Sequence, residues 1–321
     1  MPRIHLASLL AIAIAATPAM AQTAPNTPVR TANIPQADRD AYARMPNTPG
    51  SGPYPAVMDT DPTLPDHVIY HPADLARMGG KKLGVLVWGN GGCRDDGASA
   101  RLHLLEIASH GYLVIAPGRI LSGPGITEKP EARMPAPGGQ LPPVATTSAD
   151  VRAGLDWALT RGNRYAARID PAMTAVSGHS CGGLQALELA RDPRINAVLI
   201  HNSGVFADGS NPIRGITVTK ALLRGIHTPI VYFLGGETDV AFPNGSDDFA
   251  KIDHVPAALV SLPVGHGGTF MKPYGGIMAQ AAVDWLDWQL RGDMTAARSF
   301  TGPACRLCVT PGFTVERKKI D

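Results

Sequence analysis

The sequence predicts an α/β domain built on a mainly parallel central sheet with helices on both faces. Three observations carry that prediction. From residue 67 onward, short apolar runs alternate with segments of helical periodicity. The runs LGVLVWG (83–89) and YLVIAPG (112–118) are almost continuously apolar, as strands covered on both faces are. Between them, RLHLLEIASHG (101–111) repeats its apolar residues at helical spacing and stops at a glycine, the residue that most readily closes a helix.

Taken in chain order, the first segment reads as an export signal. Arg3 and His5 form a short basic start, Leu6–Ala16 an apolar core, and Ala19-Met20-Ala21 a small-x-small cleavage site. The apolar core is too short for the ~20 residues of a spanning helix. Residues 1–21 are therefore expected to be removed near Ala21, leaving a secreted or periplasmic protein without stable membrane insertion, in a compartment where disulfides persist. Residues 22–66, rich in Pro, Thr, Asn and Gly, read as a Pro-rich leader followed by extended chain wrapping the domain.

The domain itself is placed at 67–292. HVIYHP (67–72) is a strand ended by proline, followed by the strand, helix and strand described above. Residues 119–147 are too long and too rich in Gly and Pro for an idle connection and read as a lip over a site. SADVRAGLDWALTRG (148–162) has a Ser/Thr start and a glycine stop, hence a helix. MTAVSG (173–178) is a strand and LQALELARD (184–192) a helix; INAVLIHN (195–202), PIVYFLGG (229–236) and AALVSLP (257–263) are strands. The amphipathic IMAQAAVDWLDWQLRG (277–292) closes the domain, and 293–321 is a tail carrying a C-x-x-C pair.

At 321 residues, 44% hydrophobic and 17% charged, the chain suffices for one large domain with a buried core. A net charge of +2 leaves no electrostatic footprint for nucleic acid, and Arg317-Lys318-Lys319 reads as a solvated tail. Oligomeric state is left open by the sequence.

Parallel sheets place their sites at the carboxyl ends of strands, which sorts the candidate residues. VSGHSCGGLQ (176–185) sets Ser180 in a G-x-S-x-G frame between a strand and a helix. A sharp turn there pushes the hydroxyl out at the sheet edge and puts the Cys181 N–H at a helix N-terminus, ready to meet an oxyanion. Gly178 and Gly182 fit because a Cβ at either would collide with the neighbouring strand and helix. His179 reads as a packing residue beside the turn.

A serine nucleophile needs an imidazole to take its proton and a carboxylate to orient that imidazole, in the chain order serine, acid, histidine. Of the ten histidines, only His254 and His266 follow the strand at 229–236. His254 precedes the strand at 257–263, at the wrong end of the sheet. His266 follows it, in LPVGHGGTF, and is the choice. Glu237 and Asp239 both sit in FLGGETDVAFP; Asp239 is preferred for its shorter, more rigidly held side chain, and Glu237 reads as solvated. Asp208, in HNSGVFADG, is the runner-up.

The loop WGNGGCRDDG (88–97) is expected to supply a second oxyanion donor, the N–H of Gly92 or of Cys93, with Asn90 bracing it. Two loops that serve one oxygen lie close together, so Cys93 and Cys181 are expected to form a disulfide between them. Cys305 and Cys308 are expected to close a short local bridge, since zinc would need further ligands and a redox C-x-x-C opens a helix after a strand.

GHSCGG, GGETD and VGHGG together resemble the α/β-hydrolase fold, over nearly all of residues 67–292. Within that superfamily the chain looks like secreted esterases of the dienelactone hydrolase and cutinase-like polyester hydrolase branch. IDPAMTAVSGHSCGG is similar to that branch's Asp-Pro, strand and elbow run. GGETDVAFP is similar to its acid loop at Asp239, VGHGGTF to its histidine loop at His266, and AAVDWLDWQL to its closing helix. The resemblance implies hydrolysis of a carboxylic ester through an acyl-enzyme, with no metal and no organic cofactor.

There are departures. GNGGC stands where lipases often show His-Gly, and serine stands where dienelactone hydrolases proper use cysteine, which argues against lactone hydrolysis in the strict sense. Only residues 203–228 separate two of the later strands, so little or no cap is expected, and an open groove suits surface or polymer esters. The rival readings are a serine peptidase of the same fold, an acyltransferase, and a non-catalytic binding protein on a hydrolase scaffold.

Overall fold

The computed structural model describes residues 1, 34–128, 143–210 and 212–321. In chain order, helix α1 (Gln36–Arg44) precedes strands β1 (Ala56–Asp61), β2 (Leu64–Pro72) and β3 (Leu83–Gly89). Next come α2 (Arg101–Ser109), β4 (Tyr112–Pro117), α3 (Ser148–Leu159), β5 (Ile169–His179), α4 (Cys181–Leu189) and β6 (Ala197–His201). The remainder is β7 (Ile230–Leu234), α5 (Phe242–Lys251), β8 (Ala257–Ser261), α6 (Gly276–Arg291), the short α7 (Met294–Ala297) and α8 (Arg306–Val309), and β9 (Thr314–Lys318).

Among the described residues, nine strands form one sheet in the order β1-β2-β4-β3-β5-β6-β7-β8-β9. The run from β4 to β8 is parallel throughout, while β1, β2 and β9 join antiparallel at the two sides. The sheet separates two apolar layers, as the period of two along a strand requires. On β3, Val85 and Val87 pack with Leu155 of α3 and Leu184 of α4, whereas Leu86 and Trp88 pack with Leu104 of α2 and Trp285 of α6. Each such side chain contributes about 1.5–3 kcal/mol on full burial. The expected α/β architecture, a mostly parallel sheet with helices on both faces, is present.

The strand order positions the site. From β3 the chain steps to β4 on one side, then crosses to β5 on the other. The carboxyl ends of β3 and β5 therefore flank a topological switch point, the crevice where sheets of this type hold their ligands.

Several elements differ from the expectation. Residues 22–66 were expected to hold leader and extended chain, yet α1 and β1 lie there and β2 begins at Leu64; β1 pairs with β2 from Ala56↔Pro72 to Asp61↔Leu64. β5 begins at Ile169, four residues before the expected start at 173, and α4 begins directly at Cys181. The basic triplet near the C-terminus is no solvated tail. Arg317 and Lys318 belong to β9, which pairs with β8, and Lys318 Nζ donates to the carbonyls of Phe249, Ala250 and Ile252. The sheet thus extends past both bounds of the expected 67–292 domain.

Both expected disulfides, Cys93–Cys181 and Cys305–Cys308, are formed. Cys305 does open a helix, the four-residue α8, but no strand leads into it. Between β6 and β7 the described residues hold one short 3₁₀ turn, Lys220–Gly225. No helix among the described residues is long and apolar enough to cross a membrane. The export signal expected at 1–21 falls outside the described residues except for Met1, and so do residues 129–142 of the expected lip.

Candidate active site

Strand β5 runs into α4 through a single residue. Ser180 takes φ 53° and ψ −122°, a conformation that costs about 1–3 kcal/mol and persists only where its surroundings enforce it. Here they do. The Ser180 N–H donates to the His201 carbonyl at 3.0 Å, and the Ser180 carbonyl accepts from the Ser203 hydroxyl at 2.6 Å. A Cβ on Gly178 would stand 2.2 Å from the Gly182 carbonyl oxygen, and one on Gly182 would stand 2.1 Å from the Gly89 carbonyl carbon. Both positions admit glycine alone, as expected from the frame.

His266 and Asp239 converge on this serine. His266 Nε2 lies 2.8 Å from Ser180 Oγ, and His266 Nδ1 lies 2.6 Å from Asp239 Oδ1. Burial alone would raise the Asp239 pKa, but the hydrogen bond and charge of His266, the Ala241 N–H and the Asn202 amide outweigh it and hold the carboxyl below its ordinary range. An ionised carboxylate only accepts, so Nδ1 carries the ring proton and Nε2 is left to accept from the serine hydroxyl. Asn202 Nδ2 spans Asp239 Oδ2 at 2.8 Å and the Gly265 carbonyl at 3.1 Å, which locks the acid loop to the histidine loop.

The loop after β3 closes the other side. Asn90 is fully buried and donates to the Arg94 carbonyl at 2.9 Å and the Pro117 carbonyl at 2.6 Å, the expected brace. The Cys93 N–H donates to the Asn90 carbonyl at 2.9 Å. It is committed to the turn, which leaves Gly92 as the candidate for the second oxyanion donor of this loop. Gly92 lines a cavity of about 260 Å³ together with Ser180, His266 and Phe270. The Cys181 N–H belongs to the first turn of α4, where backbone donors lack intrahelical acceptors. The Cys93–Cys181 bridge, with Cα atoms 5.3 Å apart, ties this loop to the serine turn.

Beside the serine lies a cluster of histidine and aromatic rings. His103, His179 and His201 pack with Trp88 and Phe270. Burial pushes the pKa of His103 and of His179 down to about 3, and drives His201 well below its ordinary value. These rings are neutral at working pH. His179 Nε2 donates to the His266 carbonyl at 2.8 Å, a tie beyond the packing expected of it.

The structure thus brings together Ser180, Cys181, Gly92, Asp239 and His266. It sets the remaining candidates apart: Glu237 and Asp208 are exposed, Asp208 accepts from the Ser210 N–H, and His254 Nε2 faces the Ile226 carbonyl. Asn202, Ser203 and the tie made by His179 had no sequence signal beyond lying at strand ends. Among the described residues, no group of three or more His, Cys, Asp or Glu side chains could hold a metal ion. Neither a scan of protein-family models nor a search of curated proteins finds a match to this chain.

Proposed function

We propose that the protein is a serine hydrolase of the α/β-hydrolase type that cleaves carboxylic esters. The observation that carries this reading is the continuous run from Ser180 Oγ through His266 to Asp239, with contacts of 2.8 and 2.6 Å, set on a strained strand-to-helix turn.

In this reading His266 Nε2 takes the hydroxyl proton as Ser180 Oγ attacks the ester carbonyl. The N–H groups of Cys181 and Gly92 stabilise the oxyanion of the tetrahedral intermediate, each donor contributing a factor of about 10²–10³ in rate. The positive end of the α4 dipole adds to the same field. Asp239 stays ionised and stabilises the imidazolium. The intermediate collapses, the alcohol leaves with the proton held on Nε2, and an acyl-Ser180 remains. Water then repeats the sequence and releases the acid. The resemblance to secreted esterases supports the choice of ester over peptide bond, and two disulfides fit an exported chain.

Hydrolysis of p-nitrophenyl acetate and butyrate, measured for the protein and for Ser180→Ala, tests the reading. Turnover lost by several orders of magnitude in a folded Ser180→Ala variant is the expected result. Turnover retained in that variant would contradict it.

A further inference from the structure

We propose that the groove between α1 and the histidine loop receives the alcohol half of the ester, so that preferred substrates join a bulky apolar alcohol to a short acid. This deepens, and rests on, the ester-hydrolase reading.

Two cavities meet at His266. The first, about 260 Å³, surrounds Ser180 and reaches Gly92, Arg94 and Ser99. The second, about 670 Å³, touches His266 but not Ser180, and falls within the ~300–1,000 Å³ of small-molecule sites. Ile34, His266, Gly267 and Met271 line both, so the two cavities adjoin at the histidine loop.

The chemistry decides which half of an ester goes where. The proton that His266 Nε2 takes from Ser180 must pass to the departing oxygen. That oxygen therefore comes within hydrogen-bond reach of Nε2, on the imidazole side, while the carbonyl oxygen turns toward Cys181 and Gly92. Whatever is attached to the leaving oxygen extends along the histidine loop, into the larger cavity. The acyl group stays in the smaller one.

The lining sets the class of alcohol. Ile34, Ala41, Tyr42, Met45, Val264 and Met271 present apolar surface, and the charged residues of the lining, Asp38 and Lys272, are both exposed. Val264, on the loop next to His266, is 39% exposed. Helix α1 is held in place by specific ties rather than by a core-facing stripe, for Tyr42 is its one buried residue. The Tyr42 hydroxyl donates to the Ser99 carbonyl at 3.1 Å, and the Arg101 guanidinium stacks 4.0 Å from the Tyr42 ring centroid. Arg101 also donates to the carbonyls of Tyr42 and Met45. At the other end, Ile34 stands against Gly267, where a Cβ would meet it at 3.2 Å. The helix is thus fixed as one wall of the groove.

Hexyl acetate and ethyl hexanoate are constitutional isomers of similar hydrophobicity, which separates alcohol-side from acyl-side length. The full chain should hydrolyse hexyl acetate with kcat/KM about tenfold or more above that for ethyl hexanoate. Ala41→Trp, an exposed position on α1, should fill the groove and lower the ratio of hexyl acetate to ethyl acetate turnover by about tenfold. Equal or greater turnover of ethyl hexanoate, or an unchanged ratio in Ala41→Trp, would overturn the assignment while Ser180-dependent hydrolysis leaves the ester reading standing. A folded protein that hydrolyses none of the three esters would overturn that reading, and the subsite with it.

Discussion

His179 holds His266 by its backbone: the His179 Nε2–H donates to the His266 carbonyl at 2.8 Å, with the two ring centroids 5.2 Å apart. Burial, reinforced by the neighbouring His266 ring, keeps His179 neutral by pushing its pKa down to about 3. The donor is therefore constant across the working pH range. His179→Phe preserves ring volume but removes the tie, and small misplacements of a catalytic group cost up to about 10²-fold. The expected result is a kcat lowered about 10- to 100-fold on p-nitrophenyl acetate with KM little changed, measured by steady-state kinetics.

Asp239 fixes the tautomer of His266. In Asp239→Asn the amide can present a donor to Nδ1, which favours the proton on Nε2 and leaves nothing to accept from Ser180. The expected loss in kcat is about 10⁴-fold, with thermal stability changed far less. Kinetics beside a melting curve checks it.

The disulfide between Cys93 and Cys181 carries two predictions, one for stability and one for the proposed catalysis. It closes a loop with a sequence separation of 88, which in the chain-entropy model stabilises by about 4–5 kcal/mol. Cys93→Ala/Cys181→Ala should lower the denaturant midpoint accordingly. It should also reduce kcat by up to about 10²–10³-fold, the worth of one oxyanion donor, as the loop carrying Gly92 loosens.

The buried histidines predict acid sensitivity. Folded pKa values near 3 for His103 and His179 lie below the 6.5 of the unfolded chain, so the unfolded state takes up protons first as pH falls. The stability these neutral rings contribute is fully present well above pH 6.5 and is lost as pH falls through 6.5 toward 3, each histidine taking up at most about one proton on unfolding. Neither ring nitrogen of His103 has a hydrogen-bond partner among the described residues, so His103→Phe removes one such proton without losing a hydrogen bond. Urea unfolding between pH 6 and 4 should show a slope about one proton shallower in that variant.

What the sequence reveals follows from where each element is buried. The parallel strands β3 and β4 are covered on both faces, and LGVLVWG and YLVIAPG announce this directly. The residues at Ser180, Asp239 and His266 are readable because glycines and a strand end mark each loop. The side strands are harder. β1 buries only its end residues, Ala56 and Asp61, within AVMDTD, and β2 opens on LPD, where the exposed Pro65 and Asp66 mask the start. β9 is a charged run, TVERK, that pairs along one side only. Helix α5 hides in FPNGSDDFAK, whose Pro, Asn and Gly read as a turn, while burial of Gly245, Asp248 and Phe249 makes it a helix. Contacts such as Asn202 to Asp239 depend on loops far apart in sequence, and no local pattern encodes them.

The central claim is that Ser180 is a nucleophile activated by His266. Incubation with an aryl alkylphosphonate ester, followed by intact-mass and peptide-mass measurement, tests it most directly. The account predicts one adduct, on Ser180, absent from Ser180→Ala and formed far more slowly in His266→Ala. A folded protein that takes up no adduct, or takes it up on another residue, would contradict it.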